Sequence, residues 1–388
     1  MNKAVSFYLD LLRVLAAFYV FIFHVGSMRI GGNLVFATRE YSENLGLTYR
    51  AAHYFVIVFF VLSGFLITMS ASRPNMSLKT FMAARLGRLY SVLIPALLLS
   101  ILTAQFLIST SVFNKELIGN NSNLFQRVVL NISFLAESWS LNATPPLNTP
   151  FWSVHYEFMY YLIIASCLLI KGKMKFIILA FILLIAGVKI LLLFPCWFMG
   201  SILYFLIRSN RLVPPAPSFV VFVFTLVFLV IIISDSIFLP FEFFHGNNSL
   251  FGITLFFSSN YLADYFFAFL VVANIYGFFG FSKIILNLCE SKIFNETDRF
   301  FKVVSNCSYS LYMFHMPLLF FFSSIWLYDR ANTYHQVSLI GIVLIAVYFI
   351  AKQTEWKVDF WRKTVSKIIN RLESVFNLMF YKKQSNNS

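Results

Sequence analysis

Apolar runs close to the length of a bilayer crossing recur along the whole chain, near residues 6–28, 51–70, 90–110, 152–170, 174–194, 196–208, 217–239, 258–280, 308–327 and 335–353. A helix of ~20 residues, rising 1.5 Å per residue, matches the ~30 Å hydrocarbon layer. Backbone polar groups in lipid must be satisfied within the segment itself, so runs of this length have to be helices. The sequence therefore predicts an all-α, polytopic integral membrane protein with about ten transmembrane helices. The composition agrees: 59% of the 388 residues are hydrophobic and 12% charged, where a soluble domain carries about a quarter charged residues.

The basic residues test the number of spans and set its direction. If ten spans are correct, 22 of the 30 Lys and Arg fall on the side that holds both termini, six fall on the other, and Arg13 and Lys189 lie inside spans. That asymmetry predicts cytoplasmic termini. It also accounts for the net charge of +14 without nucleic acid, because the basic residues cluster at the ends of apolar runs. The four cysteines are scattered with no CxxC spacing, which gives no metal or disulfide framework. No cleavage site follows the first run, so it reads as a span and not a signal peptide. Two units are expected: a transmembrane domain over 1–355 and an amphipathic cytoplasmic tail over 356–388, suited to an anionic lipid surface. The segment 240–260, broken by His245, Gly246, Asn247 and Asn248, reads as a loop, and 111–150 as a lid or a connector.

Ionisable residues inside the apolar runs are the functional clue, since each costs a few kcal/mol in a bilayer and is retained where it faces protein or a wet cavity. In "FYLDLLRVLAAFYVFIFHVG", Arg13 and His24 are eleven residues apart, three helical turns plus ~20°, and so share a face ~16 Å apart along the axis. Asp10 lies one turn before Arg13 on that stripe. The fourth span opens "PFWSVHYEFMYYL"; its Trp152 and Tyr156 suit an interface belt, whereas Glu157 does not. Glu157 lies at a depth similar to His24, so the two could form an acid–base pair. Ser63-Gly64 is a small pair that lets helices approach closely. Arg85 and Arg88, one turn apart, either anchor topology or form a fork for an anionic ligand. His315 precedes a kinking Pro317, and Lys189 is placed to snorkel toward the interface.

Taken in order, these pieces resemble acyltransferase family 3, the integral-membrane acyltransferases of bacterial surface glycans. The resemblance rests on Arg13 with His24, Phe60-x-x-Ser63-Gly64, Arg85-x-x-Arg88, Trp152-Ser153 with Glu157, and the run Ser308-Tyr309-Ser310-Leu311-Tyr312 with His315 and Pro317. Where many relatives show Glu-x-Pro near the end, this chain has Glu355-Trp356-Lys357. The resemblance implies acyl-CoA, most often acetyl-CoA, as donor co-substrate, no metal, a hydroxyl of a glycan or lipid-linked saccharide as acceptor, and a bacterial inner membrane location. It implies catalytic roles for His24, Glu157 and Arg13. Arg85, Arg88, Ser63 and Gly64 would hold the donor, and Trp152 and His315 the acceptor. In this scheme His24, oriented by Glu157, deprotonates the acceptor, or carries the acyl group covalently. A transporter or flippase for a lipid-linked saccharide would also place charges in the membrane, but no internal repeat of the kind common in transporters is present. A glycan polymerase ranks lower, because the loop at 111–150 is only of moderate size.

Overall fold

The computed structural model describes residues 2–27, 29, 30, 33, 34, 49–110, 124–209, 213–234, 249–286, 289, 291–325 and 333–385. Twelve α-helices are present among them: α1 (Lys3–Ser27), α2 (Tyr49–Ala71), α3 (Leu78–Ser109), α4 (Leu124–Ile132), α5 (Phe151–Leu169), α6 (Met174–Arg208), α7 (Pro215–Ile233), α8 (Tyr261–Phe281), α9 (Lys292–Ser305), α10 (Ser308–Ile325), α11 (Thr333–Gln353) and α12 (Val358–Ser385). The only strands among the described residues are two short antiparallel pairs. Among the described residues, seven helices are long and apolar enough to cross a membrane, the last of them a continuous stretch over Tyr334–Arg371. The chain is an all-α polytopic membrane protein. Its outward faces are hydrophobic, with Phe176, Ile177, Phe181 and Leu184 on α6 and Phe219, Val220, Phe224 and Val230 on α7 all exposed, as a lipid-facing wall requires. Of the segment 240–260 read as a loop, 240–248 lie outside the described residues; within the rest, 249–258 carries a hairpin of two two-residue strands and a short 3-10 turn.

Three boundaries differ from expectation. Helix α3 starts about three turns earlier than the apolar run at 90–110, because Ser77 caps it, its Oγ accepting from the Thr80 N–H at 3.1 Å, so the segment expected as a loop over 71–89 is largely helical. The break expected near Pro195 occurs instead at Gly187, whose φ of 76° and ψ of 174° interrupt α6. Only glycine adopts that conformation without a steric cost, and a Cβ there would lie 2.7 Å from the Trp139 backbone nitrogen. The expected short sixth span is thereby lengthened to 188–208. Lastly, the tail forms α12, but it packs against protein: a Cβ on Gly87 of α3 would sit 2.8 Å from the Arg362 backbone of α12, and Lys79 pairs with Glu373 at 2.6 Å.

Lys189 does not snorkel. Its ammonium donates to Glu137 Oε2 at 2.9 Å, and both side chains are fully buried at 0%. The segment between α4 and α5 is therefore more than a connector; it clamps α6 just past its break. Trp139 reinforces the clamp, its indole N–H donating to the Leu184 carbonyl at 2.7 Å, and His155 fixes α4 through Asn131 at 3.0 Å. Burial pushes the Glu137 carboxyl up to about 7, with Lys189 pulling the other way.

Helices α2 and α6 meet most closely at two glycines. A Cβ on Gly64 would lie 1.9 Å from the Trp197 carbonyl oxygen, and one on Gly200 would lie 2.0 Å from that of Val61. Both obstacles are backbone and cannot swing away. Gly64→Ala is thus expected to force the helices apart at a cost of about 1–3 kcal/mol, read as a lower midpoint of thermal unfolding in detergent, with Gly200→Ala behaving alike. An unchanged midpoint for both would mean that the helices do not pack this closely.

Candidate functional site

Two adjoining cavities lie among α1, α2, α3, α5 and α10. The larger is lined by Arg13, Arg85 and Arg88 together with Ser63, Glu157, Tyr161, Tyr309 and Tyr312. Three guanidiniums converge on one space from helices far apart in sequence, which is costly in a membrane unless something anionic offsets their charge.

Each arginine is held differently. Arg13 donates to Asp10 at 3.2 Å and to the Ser305 hydroxyl at 3.1 Å, and Ser305 donates in turn to Asp10 at 2.9 Å. Asp10 and Arg13, one turn apart, are therefore paired, and the pair is tied to the end of α9. Arg85 donates through Nη2 to Ser70 at 3.1 Å, while its Nε is buried with no hydrogen-bond partner. Arg88 is exposed, but onto the cavity that it lines. The group acting on it most strongly is Glu355, followed by Tyr161, Glu157 and Tyr309. Glu355 is itself pinned to the start of α10, accepting from the Ser310 N–H at 3.0 Å and the Ser310 hydroxyl at 2.9 Å.

Glu157 accepts from the Ser63 hydroxyl and, at 2.6 Å, from the Tyr161 hydroxyl. Ser63 accepts in turn from the Trp197 indole N–H at 3.1 Å. Both bonds to Glu157 fall on Oε1, which leaves Oε2 without a hydrogen bond among the described residues.

The smaller cavity is lined by His24, His53, Tyr49, Thr149, Trp152, Phe257 and Tyr312. The His24 ring lies 5.2 Å from that of His315. His315 Nδ1 is 2.9 Å from the Leu311 carbonyl; a carbonyl only accepts, so Nδ1 carries the hydrogen and Nε2 is a bare acceptor. That Nε2 is buried and has no hydrogen-bond partner among the described residues. His53 sits on a rigid aromatic stack, 5.8 Å from Trp152 at an interplanar angle of 10°, and Trp152 stacks on Phe257 at 4.4 Å. The His53 Nε2 is 3.1 Å from Oδ2 of the fully buried Asp264. Val56 and Tyr312 line both cavities, so the two spaces share a wall, in which the Tyr312 hydroxyl is bonded to that of Ser153 at 2.9 Å.

The residues singled out from the sequence thus divide. Arg13, Ser63, Arg85, Arg88 and Glu157 share the arginine cavity; His24 and Trp152 share the histidine cavity, with His315 against His24. Arg13 and His24 serve different spaces from one helix, as their shared face allows. Two expected relations are absent. Glu157 does not orient His24: it is held by Ser63 and Tyr161 in the other cavity. Gly64 lines neither cavity among the described residues, since its face is occupied by Trp197. Sequence reasoning passed over His53 and Asp264, and met Glu355 only as a departure from the family's pattern. All three are ionisable groups within or at the end of an apolar run, the same signal that drew attention to His24.

The described residues contain no group of three or more His, Cys, Asp or Glu placed to hold a metal ion. A family model described as an acyltransferase domain matches residues 6–352. No curated protein and no solved structure matches the chain.

Proposed function

The chain belongs to the acyltransferase family matched over residues 6–352, and from that premise we propose that it transfers an acyl group, acetyl in the simplest case, from acyl-CoA to a hydroxyl of a cell-surface or lipid-linked saccharide. The observation that carries this reading is the pair of cavities, one lined by arginines and the other by imidazoles, meeting at Val56 and Tyr312. Coenzyme A is a multiply phosphorylated anion. Arg85, Arg88 and Arg13 supply the charge and the forked donors that grip phosphate. The unpartnered Nε of Arg85 is a donor left open for such a ligand. Ser63 and Glu157 line the path that the pantetheine arm would follow toward Tyr312.

In the histidine cavity, His24 takes the proton from the acceptor hydroxyl, a role that suits a group with an unperturbed pKa near ~6.5. The hydroxyl oxygen attacks the thioester carbonyl, the C–S bond breaks, and the departing thiolate recovers the proton from His24. The products are an ester and free coenzyme A. His315, with its Nε2 lone pair beside His24, takes the place as neighbour that Glu157 was expected to hold.

The charge asymmetry of the loops orients this scheme, with ten crossings, both termini cytoplasmic and the arginines toward the coenzyme's compartment; the family resemblance adds a bacterial inner membrane. The deciding experiment compares the surface saccharide of a deletion strain with that of the parent by mass spectrometry. Loss of one ester-linked acyl mass from chains of unchanged length is the expected result. Loss of the saccharide itself would mark a transporter instead and overturn the reading.

A further inference from the structure

The histidine cavity contains a second imidazole that the transfer chemistry leaves unused. His53, on α2, is bonded to Asp264, on α8, at 3.1 Å. We propose that this pair binds a second polar donor of the acceptor, a hydroxyl beside the one that reacts, and so fixes which position is acylated. The proposal rests on the acyl-transfer reading above and deepens it.

The geometry supports a ligand-binding role in three ways. An ionised carboxylate only accepts, so Asp264 fixes the hydrogen of His53 on Nε2 and leaves Nδ1 as an acceptor lone pair. That Nδ1 has no hydrogen-bond partner among the described residues, and the ring lines the same cavity as His24. The ring is also immobilised, stacked 5.8 Å from Trp152 and 6.5 Å from Tyr49. A rigid acceptor facing a cavity is what a site uses to select a donor group, because a preset geometry loses little entropy on binding. Asp264, with 0% side-chain exposure, is the costly part: burying a carboxylate needs a partner, and His53 meets its Oδ2 while Oδ1 has no hydrogen bond among the described residues. Two imidazoles in one cavity match two neighbouring oxygens of one acceptor ring. His24 meets the oxygen that reacts, and His53 meets the one that aligns it.

The test uses the full-length protein expressed in the deletion strain, with the positions of ester groups on the surface saccharide read by mass spectrometry and NMR, and coenzyme A binding measured on the purified protein in lipid nanodiscs. His53→Phe preserves the ring stack and removes the nitrogen. It is expected to lower ester content roughly five- to tenfold and to spread the remaining ester over more than one position, with coenzyme A affinity unchanged. His53→Gln, which restores an acceptor but cannot exchange a proton, is expected to recover most of the ester at the original position. Asp264→Asn should fall between the two. Wild-type ester content and position in His53→Phe would overturn the proposal, as would a parallel loss of coenzyme A binding, which marks a packing residue. Failure of His53→Gln to recover any transfer would also overturn it, because that pattern belongs to a proton carrier. A wild-type chain that adds no ester would overturn the acyl-transfer reading as well, whereas the other adverse outcomes leave that reading standing.

Discussion

Replacing His24 by alanine is expected to lower acyl transfer by about two to four orders of magnitude, while the protein still reaches the membrane and still binds acyl-CoA. The two halves of this expectation come from different cavities. His24 lines the space shared with His53, Trp152 and Tyr312, and none of the three arginines. A substitution there removes the proposed proton acceptor without altering the proposed phosphate grip around Arg85 and Arg88. Truncation to alanine also leaves α1 intact, since Arg13 keeps its bonds to Asp10 and Ser305. The measurement is ester content of the surface saccharide, alongside membrane abundance and coenzyme A binding of the purified variant. Full activity in the variant would remove His24 from the chemistry. Loss of coenzyme A binding together with activity would show that the cavities do not divide donor from acceptor.

The largest expected effect on stability lies at the buried Lys189–Glu137 pair, and the two partners should not be equivalent. Glu137→Ala strands an ammonium with no exposure to solvent, and breaking a buried pair from one side costs about 3–5 kcal/mol. Lys189→Met is expected to be milder. It leaves a carboxyl already pushed up to about 7 by its surroundings, and without the ammonium that carboxyl takes a proton and remains neutral. The ammonium's other bond, to the Leu141 carbonyl, is lost in Lys189→Met but survives in Glu137→Ala, which offsets part of the difference. Thermal unfolding of the purified proteins in detergent orders the two variants, and a Lys189→Met protein less stable than Glu137→Ala would contradict the argument.

What the sequence revealed and what it concealed follow one physical line. Apolar runs of fixed length show where helices lie, because the bilayer sets that length. Ionisable residues within them point toward cavities, because lipid makes them expensive elsewhere; Arg13, His24 and Glu157 were legible in this way. Pairing was not legible. His53 meets Asp264 across 211 positions, and Glu355 meets Ser310 across 45; neither separation produces a periodicity. Equal depth suggested that Glu157 belonged with His24, but depth fixes only one of three coordinates, and the helices bring Ser63 and Tyr161 to Glu157 instead. Lys189 was read as snorkelling because its carboxylate lies 52 residues away, in a segment with no apolar pattern of its own. The break in α6 fell at Gly187 and not beside Pro195, because a proline can stay inside a membrane helix when its neighbours satisfy the freed carbonyl, whereas a positive φ ends the helix where it occurs.

The contact between α12 and α3 reaches beyond packing. Gly87, where the two backbones touch, lies between Arg85 and Arg88, so the C-terminal helix braces the turn that presents both guanidiniums. A reporter or purification handle fused after Ser388 therefore pulls on a lever whose short arm ends at the proposed donor grip. Activity measured on such fusions is expected to depend on spacer length, and a drop that a longer linker reverses would reveal mechanical loading of the arginine cavity and not a defect in chemistry.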